Sequence, residues 1–167
     1  MSDILRSPRG VLSLALGVSV AVIIGAFLFQ YVGHLEPCEI CLVERWPYYA
    51  AIPLTLAALA MRARPPLLWL GLVGLVFLIS TGLGAYHVGV EQHWIAGPTA
   101  CTGSGIGVAK TVEELKRLLQ NQQNVQCDVV QWTLFGISLA GFNFLISLSL
   151  LSATAIGLED LWRGARR

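Results

Sequence analysis

Charge is what this sequence has least of. Only 13% of its 167 residues are Asp, Glu, Lys or Arg, against about 25% in soluble domains, while 55% are hydrophobic. That scarcity excludes an ordinary soluble domain. The net charge of +1 points to no polyanionic partner, so nucleic acid is not expected. Repeats, low-complexity tracts and domain linkers are also missing, which leaves one integral membrane unit over 1–167. No A-x-A-like cleavage site follows the first apolar run, and that run exceeds the 7–15 residues usual in a signal peptide, so it is expected to stay as an anchor. Cysteine is sparse too: Cys38, Cys41, Cys101 and Cys127 are all there are.

What the chain has instead is four apolar stretches, near 11–29, 40–61, 67–86 and 134–157. Each meets the roughly 20 helical residues that a hydrocarbon core requires. The expected fold is therefore an all-α membrane protein, a four-transmembrane-helix bundle. Arg6, Arg9, Arg62, Arg64, Arg163, Arg166 and Arg167 fall at the termini or in the link between spans two and three. The opposite face, with loops near 30–39 and 87–132, carries only Arg45 at the start of the second span and Lys110, Lys116 and Arg117 in the second loop. The positive-inside rule then puts both termini in the cytoplasm and every cysteine on the outer face. In a bacterium that face of the inner membrane is the periplasm, where disulfides persist.

Within the second outer loop, Thr111-Val112-Glu113-Glu114 has the form of a capping box, and Val112, Leu115, Leu118 and Leu119 recur at helical spacing. The pattern predicts a short amphipathic helix, packed on the end of the bundle or lying in the headgroup plane of the lipid bilayer. Tyr31, Trp46, Tyr48, Tyr49, Trp69, Tyr86, Trp94, Trp132 and Trp162 sit at span boundaries and read as an interfacial aromatic belt. Gly71, Gly74, Gly136 and Gly141 read as close-packing positions, and Asn143 as an interhelical hydrogen-bonding residue.

Cys38-Glu39-Ile40-Cys41 falls where the first outer loop turns into the second span. Such a pair can hold a disulfide, release it or carry a stabilised thiolate, and Cys101 and Cys127 can supply a second exchangeable pair. Zinc is the main rival, but a structural site wants two close ligand pairs, and a helix-forming stretch separates Cys101 from Cys127. His34, His87 and His93 are the residues that could complete a mixed set. A permanent staple is the other rival; closing a two-residue loop constrains little unfolded chain. Cys41 and Arg45 share a helix face one turn apart, near the positive end of the helix dipole, and both effects favour the thiolate, with Glu39 and Glu44 opposing. Cys101, in an exposed glycine-containing segment, suits attack by a soluble partner, while Cys127 lies closer to the membrane and suits passing the oxidation state to Cys38.

A poised thiol relay at this depth requires an electron acceptor. Soluble dithiols are too reducing to renew a periplasmic oxidant whose potential lies near about −120 mV, whereas a lipid-soluble quinone reaches the site through the bilayer. Arg45 can hydrogen-bond a ring carbonyl, with Trp46 and Tyr49 as aromatic walls; taken alone, Arg45 reads as a snorkelling interfacial arginine.

Pro37-Cys38-Glu39-Ile40-Cys41-Leu42-Val43-Glu44-Arg45, followed by an aromatic-rich span and a long outer loop with two cysteines, resembles the disulfide bond formation protein B family. The resemblance implies an inner-membrane enzyme that re-oxidises a DsbA-like thioredoxin-fold oxidase and delivers the electrons to the membrane quinone pool, ubiquinone or menaquinone. It makes Cys41 the quinone-adjacent thiolate and Cys38 its disulfide partner. Cys101 would form the mixed disulfide with the soluble oxidase, and Cys127 would be its resting partner, able to bridge to Cys38. Arg45 matches the family arginine at the quinone. The family histidine follows the acidic residue that ends span three, whereas here Glu91 is followed by Gln92 and then His93. His87 and His93 are the candidates for that role, and His93 joins Arg45, Trp46 and Tyr49 in the expected quinone set. The vitamin K epoxide reductase family is the nearest alternative enzyme class, but there the loop pair precedes C-x-x-C and here it follows.

Overall fold

The computed structural model describes residues 7–62, 65–98, 111–113 and 126–166. Four long helices dominate: α1 (Pro8–Tyr31), α2 (Glu39–Ala60), α3 (Pro66–Glu91) and α4 (Leu139–Ala165). Their starts follow from local chemistry. Ser7 and Ser138 each accept a hydrogen bond from the backbone three residues on, at 3.0 Å, and Pro8 and Pro66 sit at the first helical positions, where a missing N–H costs nothing. The cap of α2 is Cys38 itself.

Among the described residues, α1, α3 and α4 are long and apolar enough to cross a membrane. The helix α2 carries Glu39, Glu44 and Arg45 in its first two turns and both Pro47 and Pro53 within it. Thr55, a turn below, gives its hydroxyl to the carbonyls of Ala51 and Ile52, at 2.7 and 3.0 Å.

Each helix packs on the next in sequence, with α3 and α4 the most extensive pair. Lipid tails are as apolar as leucine, so the bundle is held by close packing and interhelical hydrogen bonds rather than by exclusion from water. Leu12, Tyr48, Ala51, Val73, Phe77 and Leu150 are buried in the central core. A polar thread runs through it: Tyr48 Oη bonds Asn143 Oδ1 at 2.6 Å and Ser147 Oγ at 2.8 Å, and Ser147 Oγ bonds Ser80 Oγ at 2.8 Å. Tyr48 has one proton and donates it to Asn143, so Ser147 donates to Tyr48 and Ser80 to Ser147. Three helices are tied by a single directed chain.

Several local expectations change. Tyr48 is only 1% exposed and belongs to the core, not to the aromatic belt. A Cβ on Gly71 or Gly136 would meet nothing, so neither is a packing position; the tight approach is at Gly84, whose Cβ would lie 2.9 Å from Phe144 Cα. Gly136 serves a turn instead. Phe135 and Gly136 have φ of 53° and 78° and join two short antiparallel strands, β1 (Thr133–Leu134) and β2 (Ile137–Ser138). Left-handed backbone at both central positions matches the twist of a two-residue hairpin. The fourth apolar run is thereby interrupted, and its helix starts at Leu139 rather than near 134. The third helix extends to Glu91, beyond the expected limit near 86, and so carries His87 into the bundle. Of the expected amphipathic helix only 111–113 fall within the described residues.

Candidate functional site

The last turn of α1, the first turns of α2 and α4 and the last turns of α3 converge on one end of the bundle. They enclose a cavity of about 530 Å³, with Leu35, Cys127 and Trp132 from the connecting segments on its wall. Most of its surface is apolar: Val18, Val22, Ala26 and Phe29 from α1 face Ala140 and Ile146 from α4. Trp132 packs against Phe29 at 4.9 Å and reaches Phe142 at 6.4 Å between ring centroids, both pairs tilted, on one side of the cavity.

The sulfurs lie at the cavity wall. Cys38 and Cys41 form a disulfide, with Cα atoms 5.1 Å apart. Cys38 Sγ also accepts the Cys41 backbone N–H at 3.1 Å, as the N-cap of α2. The helix terminus therefore acts on the Cys38 sulfur, not only on Cys41 as expected from the sequence. Cys38 is buried and Cys41 half-buried. Cys127 is buried as well, packed with Cys38, Ile40 and Val90 in one small cluster, and is disulfide-bonded. Cys101 lies outside the described residues.

Behind Cys38 stands a buried pair that local sequence patterns do not reveal. His87 is 2% exposed, its Nε2 lies 3.7 Å from Cys38 Sγ, and its Nδ1 lies 3.2 Å from Glu44 Oε1. The Nδ1–Oε1 contact is an ion-pair distance but off the line of a good hydrogen bond, so its pull is mainly electrostatic. Sequence reading treated Glu44 only as a charge opposing the thiolate; its spacing from His87 carries no periodic signal. One turn further along α3, Glu91 accepts from Ser138 Oγ, the cap of α4. That bond fixes the rim of the cavity.

Arg45 is held by α1. Its Nη1 donates to Gln30 Oε1 at 2.8 Å, and its guanidinium lies 5.5 Å from the centroid of the Phe27 ring, a cation–π distance. It lines the cavity near Cys41. Asn143 lines it too: its Oδ1 is taken by Tyr48, as the expected interhelical bond, while its buried Nδ2 has no hydrogen-bond partner among the described residues. An unpaired buried amide donor on a residue that lines an apolar cavity suits a ligand oxygen.

Trp46 and Tyr49 pack edge to face at 6.3 Å on the outer surface of α2, 69% and 38% exposed, and do not line this cavity. His93 is exposed, just past the end of α3 with φ of 57°, and is likewise off the cavity wall. Thus Cys38, Cys41, Cys127 and Arg45 are brought together, with His87, Glu44, Gln30 and Asn143 added by the fold.

Comparison with known proteins agrees with this arrangement. The family model described as "Disulfide bond formation protein DsbB" matches residues 8–157. A protein named Disulfide bond formation protein B from Verminephrobacter eiseniae is 31% identical, covering 97% of this chain and 92% of its own. Disulfide bond formation protein B 1 of Pseudomonas aeruginosa is also 31% identical, over 91% of this chain and 95% of its own. An uncharacterized protein of Rickettsia prowazekii is 30% identical, over 80% and 78%. No solved structure matches. With a buried cysteine disulfide at the mouth of an apolar cavity in a helical membrane protein, and a family match over nearly its whole length, this chain belongs to the DsbB family of disulfide bond formation proteins.

Proposed function

We propose that this chain re-oxidises a periplasmic DsbA-like thioredoxin-fold oxidase and passes the electrons to ubiquinone or menaquinone, as a four-span inner-membrane protein with both termini cytoplasmic. The observation that carries this reading is the Cys38–Cys41 disulfide opening onto a mostly apolar cavity of about 530 Å³ that also holds Arg45 and the unpartnered Asn143 Nδ2. That volume lies within the roughly 300–1,000 Å³ of small-molecule sites, and two donors in an apolar chamber suit the carbonyl oxygens of a quinone.

A bound quinone supplies a lipid-soluble two-electron oxidant. Arg45, already oriented by Gln30 and Phe27, and Asn143, oriented by Tyr48, are the residues that would hold its carbonyl oxygens. Phe29 and Trp132, rather than Trp46 and Tyr49, form the aromatic wall and keep water out. His93 retains a place in the proposal only at the outer rim.

The thiol chemistry runs inward. A thiolate of the reduced partner attacks Cys101 of a Cys101–Cys127 disulfide, forming a mixed disulfide and releasing the Cys127 thiolate. A second partner thiol resolves that bond, so the partner leaves oxidised and the loop pair is reduced. The Cys127 thiolate then attacks Cys38 of the Cys38–Cys41 disulfide, forming the inter-loop bridge and freeing Cys41 as thiolate. Burial of Cys127 beside Cys38 supports this order. Attack of Cys101 on Cys127 restores the loop disulfide and leaves Cys38 and Cys41 both reduced, ready to be closed again by the oxidant. His87 Nε2, next to Cys38 Sγ, receives the thiol proton when Cys38 must act as a thiolate, and Glu44 steadies the imidazolium so formed.

The test is quinone reduction by the purified protein given a reduced thioredoxin-fold oxidase. Stoichiometric quinol with oxidised partner is expected; if no quinol forms and the partner stays reduced, the protein is a disulfide-stapled scaffold.

A further inference from the structure

The arrangement around Cys38 is also that of a metal-binding histidine and its backing carboxylate. Cys38 Sγ, Cys41 Sγ and His87 Nε2 all lie within 4.8 Å of one another. In a tetrahedral site with a metal–sulfur bond of about 2.3 Å and a metal–nitrogen bond of about 2.05 Å, the sulfur-to-nitrogen edge is about 3.6 Å. The Cys38 Sγ–His87 Nε2 distance is 3.7 Å. The other ring nitrogen faces Glu44, and a carboxylate behind the ring is the usual partner of a ligating histidine. These are two independent features, one at each ring nitrogen.

We propose that when Cys38 and Cys41 are reduced, their two sulfurs and His87 Nε2 bind one thiophilic divalent cation, Zn²⁺ in particular, and that the bound ion holds the site closed to re-oxidation. The binding stands apart from the identity of the oxidant, whereas the block on re-oxidation rests on the quinone reading above. The balance is simple: two thiol protons leave, one dication enters, and no electron moves. The product is electrically neutral, which matters because Cys38 is 3% exposed and an isolated thiolate there is costly to bury. Cys38, Cys41 and His87 all line the cavity, which leaves room there for a fourth ligand. In the disulfide state the sulfurs are bonded to each other and offer no thiolate, so the ion discriminates between redox states. Metal would accumulate only when oxidant is scarce, and both sulfurs would have to shed it before the disulfide could close.

The experiment uses the full chain in detergent, free of quinone, with Cys101→Ser and Cys127→Ser to remove the other thiols. After reduction with a phosphine, titration with cobalt chloride should give one Co²⁺ per chain, with thiolate-to-cobalt charge-transfer and tetrahedral d–d bands that Zn²⁺ displaces. The oxidised protein should show none. His87→Ala and Glu44→Gln should weaken cobalt binding at least about tenfold. Because either change touches a buried pair, His87→Gln with an unchanged melting temperature provides a folded control and should show the same loss. Absent bands in the reduced protein, equal binding by the oxidised protein, or full affinity in all His87 variants would overturn the site. For the block, Zn²⁺ added to pre-reduced wild-type protein should slow quinone reduction more than tenfold; no slowing despite cobalt binding overturns that half. A failure of quinone reduction without any zinc would instead count against the proposed function and leave the cobalt result standing.

Discussion

The hydroxyl of Tyr48 donates to Asn143 Oδ1 at 2.6 Å across 95 residues of chain, and in doing so it fixes the amide of a residue that lines the cavity. One bond thus ties α2 to α4 at the wall of the cavity. Tyr48→Phe keeps the ring and removes that bond together with the one Tyr48 accepts from Ser147. Melting in detergent should cost about 0.6–1.7 kcal/mol, the range of interhelical bonds in membrane proteins. The apparent KM for quinone should rise several-fold as the amide loses its orientation. A lower melting temperature with an unmoved KM would separate the two roles and leave Asn143 purely structural.

Arg45→Ala removes a charged donor from the cavity wall. Hydrogen bonds to charged groups contribute about 1.5–3 kcal/mol, so the apparent quinone KM should rise roughly 10- to 100-fold. Gln30→Ala, which only loosens the guanidinium, should give a smaller rise. If KM stays constant in Arg45→Ala, the residue is an anchor between α1 and α2 and nothing more.

His87→Ala takes away the group beside Cys38 Sγ. Transfer from the loop cysteines to the Cys38–Cys41 pair, followed by stopped-flow with reduced partner, should slow by about 10²-fold, the low end for a proton-transfer group. His93→Ala, exposed and off the cavity wall, should transfer at the wild-type rate. The reverse pattern would reassign the histidine role.

Cys101→Ser should abolish exchange with the soluble partner while the Cys38–Cys41 pair still reacts with quinone when reduced by a small dithiol. Normal partner oxidation by this variant would end the proposed division of labour.

Gly84→Ala adds a Cβ 2.9 Å from the Phe144 Cα, where backbone rather than a flexible side chain must yield. A loss of about 1–3 kcal/mol is expected from such overpacking. Gly71→Ala, which meets nothing, should melt like the wild type. Equal melting of the two variants would show that α3 and α4 can part without cost.

Much of this protein can be read along the chain because the relevant physics is local. A membrane span is a matter of consecutive apolar residues, and three of the four expected stretches form helices long and apolar enough to cross among the described residues; Cys38 and Cys41, three apart at the start of a helix, are near enough to pair by their spacing alone. Only the tertiary structure could decide the rest. Whether His87 or His93 meets the sulfurs depends on how far α3 continues and on which side faces α2, and α3 runs on to Glu91 with His87 turned inward against Glu44. Tyr48 looks like any interfacial tyrosine until Asn143, Ser147 and Ser80 are brought around its hydroxyl. Likewise Trp132 rather than Trp46 walls the cavity, because the hairpin at Phe135 and Gly136 folds that segment back over Phe29. Composition and spacing set which residues can do chemistry; contacts between residues distant in the chain select which of them do, since burial and partner geometry arise only when the helices pack.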